Sequence, residues 1–340
     1  NYFEGSISVL DANVSGETRS QYTPANTSSA TGEMAEDYSF YNAALKLQLT
    51  PHFSFGLIYD QPFGAAAKYP TQSNQAFSTS NGNTQADVDS QNLSLMLGYQ
   101  PNKNWNIYAG PVYQTIKGHV SLRGSAYSVF NGYDANIKED SAAGWLAGAA
   151  FQIPEIALKA SVTYRSEIDH EFVANENLSL ATPLANAAPM LGGIVPPALL
   201  PAISQAIGGF AAANSADGKT KITTPQSVNL DFQTGIMANT VAFANVRWVN
   251  WKDFSITPYK FGKAAEAVGP LVNRPNGFSL VEYTDDQWSA NVGVGRKLND
   301  QWAGNVSVGW DSGAGNPVST LGPTEGYWNV GLGVQYSPTP

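Results

Sequence analysis

Cysteine is absent from the 340 residues, so a disulfide framework, a thiolate metal site and a cysteine nucleophile are excluded. Charge is scarce as well: Asp, Glu, Lys and Arg make up 13% of the chain, about half the usual share of a soluble protein. Histidine occurs only as His52, His119 and His170, and the sequence offers no metal-ligand cluster, phosphate-binding loop or basic patch. No cofactor is expected. The net charge of −9 and the pI near 4.8 argue against nucleic acid as a partner. Long hydrophobic runs are also missing. The one candidate, residues 189–213, is uncharged and long enough to cross a bilayer as a helix. Pro196, Pro197 and Pro201 argue against that, because each removes a donor and breaks the ladder. A mean hydropathy of −0.21 excludes a helical membrane protein. No signal peptide precedes Asn1-Tyr2-Phe3, which opens on a strand-like run, as in a mature or trimmed product.

What the chain does have is aromatic residues, glycine and alternation. It carries 16 Tyr, 15 Phe, 8 Trp and 32 Gly, a composition that suits a lipid-facing β surface with aromatic girdles. In the clearest stretch, apolar residues fall at Trp288, Ala290, Val292 and Val294, and again at Trp302, Gly304, Val306, Val308 and Trp310, with small or polar residues between. Period two makes one face of a strand apolar and the other polar. Twelve such strands can be placed, at 2–11, 38–49, 53–69, 88–99, 105–121, 142–153, 155–172, 225–237, 240–257, 287–297, 301–311 and 326–337. Leu93, Leu95, Leu97 and Tyr99, for example, oppose Asn92, Ser94, Met96 and Gly98.

Connection lengths alternate. Short turns at 50–52, 100–104, 154, 238–239 and 296–300 face long segments at 12–37, 70–87, 122–141, 173–224, 258–286 and 312–325. Segregation of short turns from long loops is the outer-membrane arrangement, with short periplasmic turns and long extracellular loops. Trp105, Trp288, Trp302, Tyr99 and Tyr336 are assigned to the short-turn rim, where an interfacial belt belongs. The expected fold is therefore all-β: a transmembrane antiparallel up-and-down barrel in which 1–340 is a single domain. Its long loop 173–224 carries a short apolar helix, expected to start near Pro197 and end at Gly208-Gly209. That helix reads equally as a plug that steadies the loop and as a greasy landing site for an apolar ligand through Leu199, Leu200, Ile203, Ile207 and Phe210.

Three stretches carry a resemblance to a known family. They are Leu158-Lys-Ala-Ser-Val-Thr-Tyr-Arg-Ser-Glu-Ile-Asp169; Thr224-Pro225-Gln-Ser leading to Trp248-Val-Asn-Trp251-Lys-Asp-Phe254; and Tyr59-Asp-Gln-Pro62-Phe63-Gly64. In order and spacing they resemble the FadL-type outer-membrane transporters of long-chain fatty acids and other hydrophobic compounds. The resemblance implies a fourteen-strand barrel with an N-terminal hatch; the hatch and the last strands are expected to be missing from this chain. It implies passive transport of a fatty acid or hydrocarbon by a monomer in the Gram-negative outer membrane, in contact with lipid and lipopolysaccharide. It also implies a lateral gate at Pro62, Phe63 and Gly64, where a kinked strand opens the barrel wall. Lys117 falls in the strand where the family places a cationic contact to an acid head group, with Pro111 a possible source of a parity shift. Pro258 stands where a second cationic contact would be expected, which puts preference for an acid in doubt.

The residues leave other readings. Arg165 and Glu167 are assigned to the polar face of one strand, where they can pair with each other or with Lys159, Asp231 or Arg247. Arg165 can also attract a carboxylate. A water-filled porin for polar solutes is the alternative function. His119 and Ser121 share a strand face as a hydrolytic dyad would, with Asn131 or Asn136 to orient the base, but no residue fixes that role. A non-enzyme is expected.

Overall fold

The computed structural model describes residues 1–19 and 28–338. Residues 20–27 of the long connection 12–37, and Thr339 and Pro340 at the end of the chain, lie outside the described residues. Twelve strands follow one another through a single antiparallel sheet, each bonded to its sequence neighbour. They are β1 (Tyr2–Leu10), β2 (Tyr38–Gln48), β3 (Phe53–Asp60), β4 (Gln85–Tyr99), β5 (Trp105–Ser121) and β6 (Tyr133–Ile153), then β7 (Leu158–Arg165), β8 (Ser227–Met237), β9 (Thr240–Val249), β10 (Gln287–Lys297), β11 (Trp302–Asp311) and β12 (Tyr327–Tyr336). Two short strands, Gly64–Lys68 on β4 and Asn175–Leu178 on β6, bring the sheet to fourteen.

The strands face as the alternation requires. On β4, Leu93, Leu95, Leu97 and Tyr99 are 39–56% exposed, whereas Asn92 is 5% and Ser94 0% exposed. A soluble sheet would show the reverse. Outward Leu and Val with inward Asn and Ser place hydrocarbon outside the sheet and a polar lumen within. Leu95 lies halfway up the apolar row, so Leu95→Arg is expected to destabilise the folded barrel by about 2–4 kcal/mol. Reversible urea unfolding in lipid vesicles measures this; a change under about 0.5 kcal/mol would contradict the orientation.

Several expected boundaries move, each for a local reason. β6 starts at Tyr133 rather than 142, because its upper end is paired on both sides, with the upper end of β5 and with Asn175–Leu178. The strand expected over 155–172 ends at Arg165; Ile168–Phe172 then leaves the wall and pairs with Thr220–Thr224 inside the mouth. Glu167 is exposed in the break, so it does not share a strand face with Arg165. Pro111 does not disturb parity: the same register holds at Leu93↔Tyr113 and Leu97↔Ala109 on either side of it. Beside it, Gly110 has no room for a side chain, since a Cβ would lie 1.6 Å from the Leu95 carbonyl oxygen. Trp288 belongs to the opposite rim from the one expected. It opens β10 at the long-loop end, level with Trp248, Trp310 and Trp328. The short-turn rim keeps Tyr99, Trp105, Trp302 and Tyr336, with ring pairs Phe53–Tyr99, Trp105–Phe151 and Trp302–Tyr336 at 4.8–5.3 Å.

The long loops pack into a plug over the mouth. Its helices are α1 (Ala181–Ala187), α2 (Leu200–Ala213) and α3 (Tyr259–Val268). α2 starts at Leu200, with Pro201 in its first turn where the missing N–H is not needed. It does not stop at Gly208-Gly209. A Cβ at 209 would lie 2.7 Å from the Ala267 Cβ, so that glycine lets α2 approach α3 rather than ending the helix. The Phe130 ring packs edge to face or tilted against Phe210, Phe261 and Phe278, centroids 4.5–5.7 Å apart, at the centre of this packing. The plug has its own polar anchor. Glu176 is 6% exposed and accepts bonds from the Tyr133 hydroxyl (2.6 Å) and the Lys260 and Phe261 amides (2.9 and 3.0 Å). Those amides belong to the first turn of α3, whose preceding residue, Pro258, offers no side-chain cap.

Candidate functional site: a window in the wall and the cavity behind it

Strand β3 pairs with β4 up to Asp60↔Asn92, and pairing resumes at Gly64↔Asp89. Three residues, Gln61, Pro62 and Phe63, therefore oppose two, Ser90 and Gln91. This is a bulge with one extra residue, and proline, which has no N–H to lose, occupies its middle. The Ser90 hydroxyl holds the far end: it accepts from the Phe63 amide (2.8 Å) and donates to the Phe63 carbonyl (2.6 Å).

On the other side of the bulge the wall is open. β2 pairs with β3 only from Ala43↔Tyr59 downward. Higher up, contact resumes at the Ala35↔Ala67 bridge and the Glu36 amide to Ala66 carbonyl bond. Between these two levels lies a window framed by residues 38–42 and 61–64. The Gln61 side chain reaches across it, its Oε1 accepting from the Tyr41 amide (2.9 Å), while its amide donates to the hydroxyl of Tyr59 on its own strand (3.1 Å). A cavity of about 900 Å3 runs through the window, lined by outward-facing Tyr41 and Gln91 and by lumen-facing Asn245 and Asn291. Just above the window's level the outer face turns from Leu93 and Tyr113 to the Asp89–Lys117 ion pair (4.0 Å), so the opening sits at the upper edge of the apolar band.

Behind the window, under the plug, lies a second cavity of about 240 Å3. Its walls are mostly apolar, with Ile116, Val120, Ile222, Phe254, Ile256 and Leu280 among them. Pro62, Phe63, Gly64, Ser90, Lys117 and Trp251 line both cavities and so form the junction between them. Phe63 and Trp251 meet there edge to face, ring centroids 5.5 Å apart at 79°. Below, the lumen turns polar. Asp60 lies within electrostatic reach of Arg165 and Arg247, and Arg247 within reach of Asp311. Asp60 Oδ1, Arg247 Nε and Asn291 Oδ1 are buried without a protein partner. Further down, Lys46, Asn104, Lys159, Asp231 and Gln233 line a chamber of about 780 Å3.

Of the residues singled out in the sequence, Pro62, Phe63, Gly64 and Lys117 come together around the apolar cavity. Lys117 projects from the outer face beside Asp89 rather than into the lumen. Arg165 lies lower, donating to the Ser94 hydroxyl at 3.4 Å beside the Asp60 carboxylate. Leu199, just before α2, and Leu200, Ile203 and Ile207 on it lie away from the cavity lining, and Phe210 is 1% exposed in the plug core. Sequence reading assigned no role to Gln61 and Trp251, although both lie in the stretches that carry the resemblance, and none to Ser90; fold-level pairing brings the three to one place. Sequence reading also missed His170. That side chain is fully buried, with Nδ1 2.8 Å from Asp140 and Nε2 2.9 Å from Gln114, and it pins the hairpin of Ile168–Phe172 and Thr220–Thr224 to the wall. His119 does approach Ser121 at 3.0 Å, yet the Ser121 hydroxyl donates to Asp134 (2.6 Å), which is itself held by Arg123. His119 therefore donates to Ser121 and is not its base. Asn131 does not take the orienting place, since its side chain caps the Gly124 amide; Asn136 lies across from His119, with no side-chain hydrogen bond between the two among the described residues.

Comparison with known proteins follows the same lines. The model of the family "Outer membrane protein transport protein (OMPP1/FadL/TodX)" matches residues 2–314. The toluene transporter TodX of Pseudomonas putida is 12% identical, with 99% of this chain and 78% of that one covered and a TM-score of 0.54. The toluene transporter TbuX of Ralstonia pickettii is likewise 12% identical, covering 84% and 76% with a TM-score of 0.51. A search of curated proteins gives no match.

Proposed function

Since the chain belongs to the FadL/TodX family of outer-membrane transporters of hydrophobic compounds, we propose that it is a passive channel for small neutral hydrophobic molecules in the Gram-negative outer membrane. The single observation behind this reading is the pairing of an apolar cavity with a window in the wall beside it. Solute enters through the plug, rests in the cavity and leaves sideways past Pro62, Phe63 and Gly64 into the outer edge of the bilayer.

Cavity size favours a single-ring hydrocarbon over a long-chain acid. An apolar cavity of about 150 Å3 takes up benzene, and this one, at about 240 Å3, has room for a slightly larger solute. Its lining offers an acid head group little. Lys117 reaches the lining but is paired on the outer face with Asp89 (4.0 Å), and Arg165 lies below beside Asp60. Both solved relatives named above are described as toluene transporters, in keeping with this choice. Partners are thus the hydrophobic solute, the surrounding lipid and the lipopolysaccharide of the outer leaflet, met by a monomer.

Proteoliposomes provide the test. Toluene is expected to enter faster than into protein-free vesicles, palmitate to gain much less, and arabinose nothing. Sugar entry at a rate matching toluene would instead favour the water-filled porin.

A further inference from the structure

We propose that the Phe63–Trp251 ring pair is a selectivity constriction that passes flat aromatic rings in preference to saturated rings of the same size. The inference rests on the channel reading above and adds the residues that discriminate between its solutes. The apolar cavity and the window share these two side chains, so a solute leaving sideways passes between them. They come from opposite walls: Phe63 from the bulge after β3, Trp251 from the end of β9.

The two halves are held differently. Trp251 is fixed. Its Nε1 donates to Gln287 Oε1 at 2.8 Å, and its ring packs on Phe254 at 4.9 Å and Tyr283 at 5.2 Å. Phe63 stands in the bulge between β3 and Gly64–Lys68, its backbone bonded to the Ser90 hydroxyl and followed by exposed Gly64. Phe63 is thus the side that yields. Opening breaks an edge-to-face contact between rings. An aromatic solute passing edge-on remakes such contacts with both partners as it goes, whereas a saturated ring does not. The difference corresponds to about twofold to tenfold in rate.

The experiment compares toluene with methylcyclohexane, which has the same number of carbons, in proteoliposomes after subtraction of entry into bare vesicles. The wild type is expected to favour toluene by about twofold to tenfold. Phe63→Leu and Trp251→Leu should bring the ratio to about one by speeding methylcyclohexane, while Phe63→Tyr keeps the wild-type ratio. Heat-dependent migration on gels checks that each variant is folded, and the two leucine variants stand in for each other if one is not. A wild type that carries both solutes equally, or leucine variants that keep its preference, overturns the constriction and leaves the channel standing. A wild type that carries neither solute overturns the channel, and the constriction with it.

Discussion

Deletion of Pro62 is expected to abolish sideways release while leaving the barrel folded. The register on the two sides of the bulge differs by one residue, Asp60↔Asn92 against Gly64↔Asp89. Removing one residue lets β3 run straight into Gly64–Lys68 as a single ladder along β4. Inward and outward faces then agree throughout, because Asp60 and Phe63 both belong to the lumen side and Gln61 and Gly64 to the outside. A straightened strand would draw its free edge towards β2 and close the frame around residues 38–42. Toluene uptake should fall by about tenfold or more, since an unbroken wall offers no polar-lined gap for exit. Stability should hold or rise, because an unpaired bulge is lost and no packed side chain goes with it. Uptake and urea unfolding, measured on the same preparation, decide the matter. Wild-type uptake in a folded deletion variant would show that solute leaves by another route.

A second large effect is expected in the plug. Glu176 is a buried carboxylate that accepts three bonds, two of them from the first turn of α3. Bonds to an ionised acceptor contribute about 1.5–3 kcal/mol each. Glu176→Ala leaves the Tyr133 hydroxyl and two amides without partners, at a cost of about 5 kcal/mol to the plug's closed state. The barrel strands do not depend on these bonds. Hydrogen exchange should therefore accelerate in α2 and α3 while β4, β5 and β6 below residue 142 stay protected. Unchanged exchange in α3 would contradict this anchor.

Alkali offers a milder form of the same test. Burial, and next the Glu176 charge, push the Tyr133 phenol well above the usual range. A raised folded value favours the protonated form, so its contribution is complete below the unfolded phenol value of about 10 and fades as pH rises beyond it. Plug opening at strongly alkaline pH, absent or shifted in Tyr133→Phe, is the expected signature.

Much of the barrel was legible because alternation is a one-dimensional signal. Leu93 to Tyr99 and Trp328 to Tyr336 carry their orientation in their own order, and the solvent outside does not alter it. Strand ends were less legible. Ile168–Phe172 alternates as well as β7 does, yet it turns inward, a choice fixed by His170, Asp140 and Gln114, residues up to 56 positions apart. Trp288 was assigned to the wrong rim because a tryptophan at a strand end marks an interface without saying which one. The site was half legible. Pro62 and Gly64 announce a break through backbone chemistry. Gln61, Ser90 and Trp251 gain their meaning only from what the sheet brings opposite them. The apolar run 189–213 reads equally as plug and as landing site because hydrophobicity alone does not distinguish a ligand surface from a core; Phe210 belongs to the core.

The charges of Asp60, Arg165, Arg247 and Asp311 give the lumen a wet storey beneath a dry one. Moving hydrocarbon into water costs about 0.8 kcal/mol for each CH2, so a seven-carbon oil faces an uphill step of about 5–6 kcal/mol if it sinks instead of turning aside. Gravity plays that part in a separating funnel, where the stopcock draws one liquid and leaves the other. Here the stopcock is on the side, and the aqueous layer below does the sorting without moving.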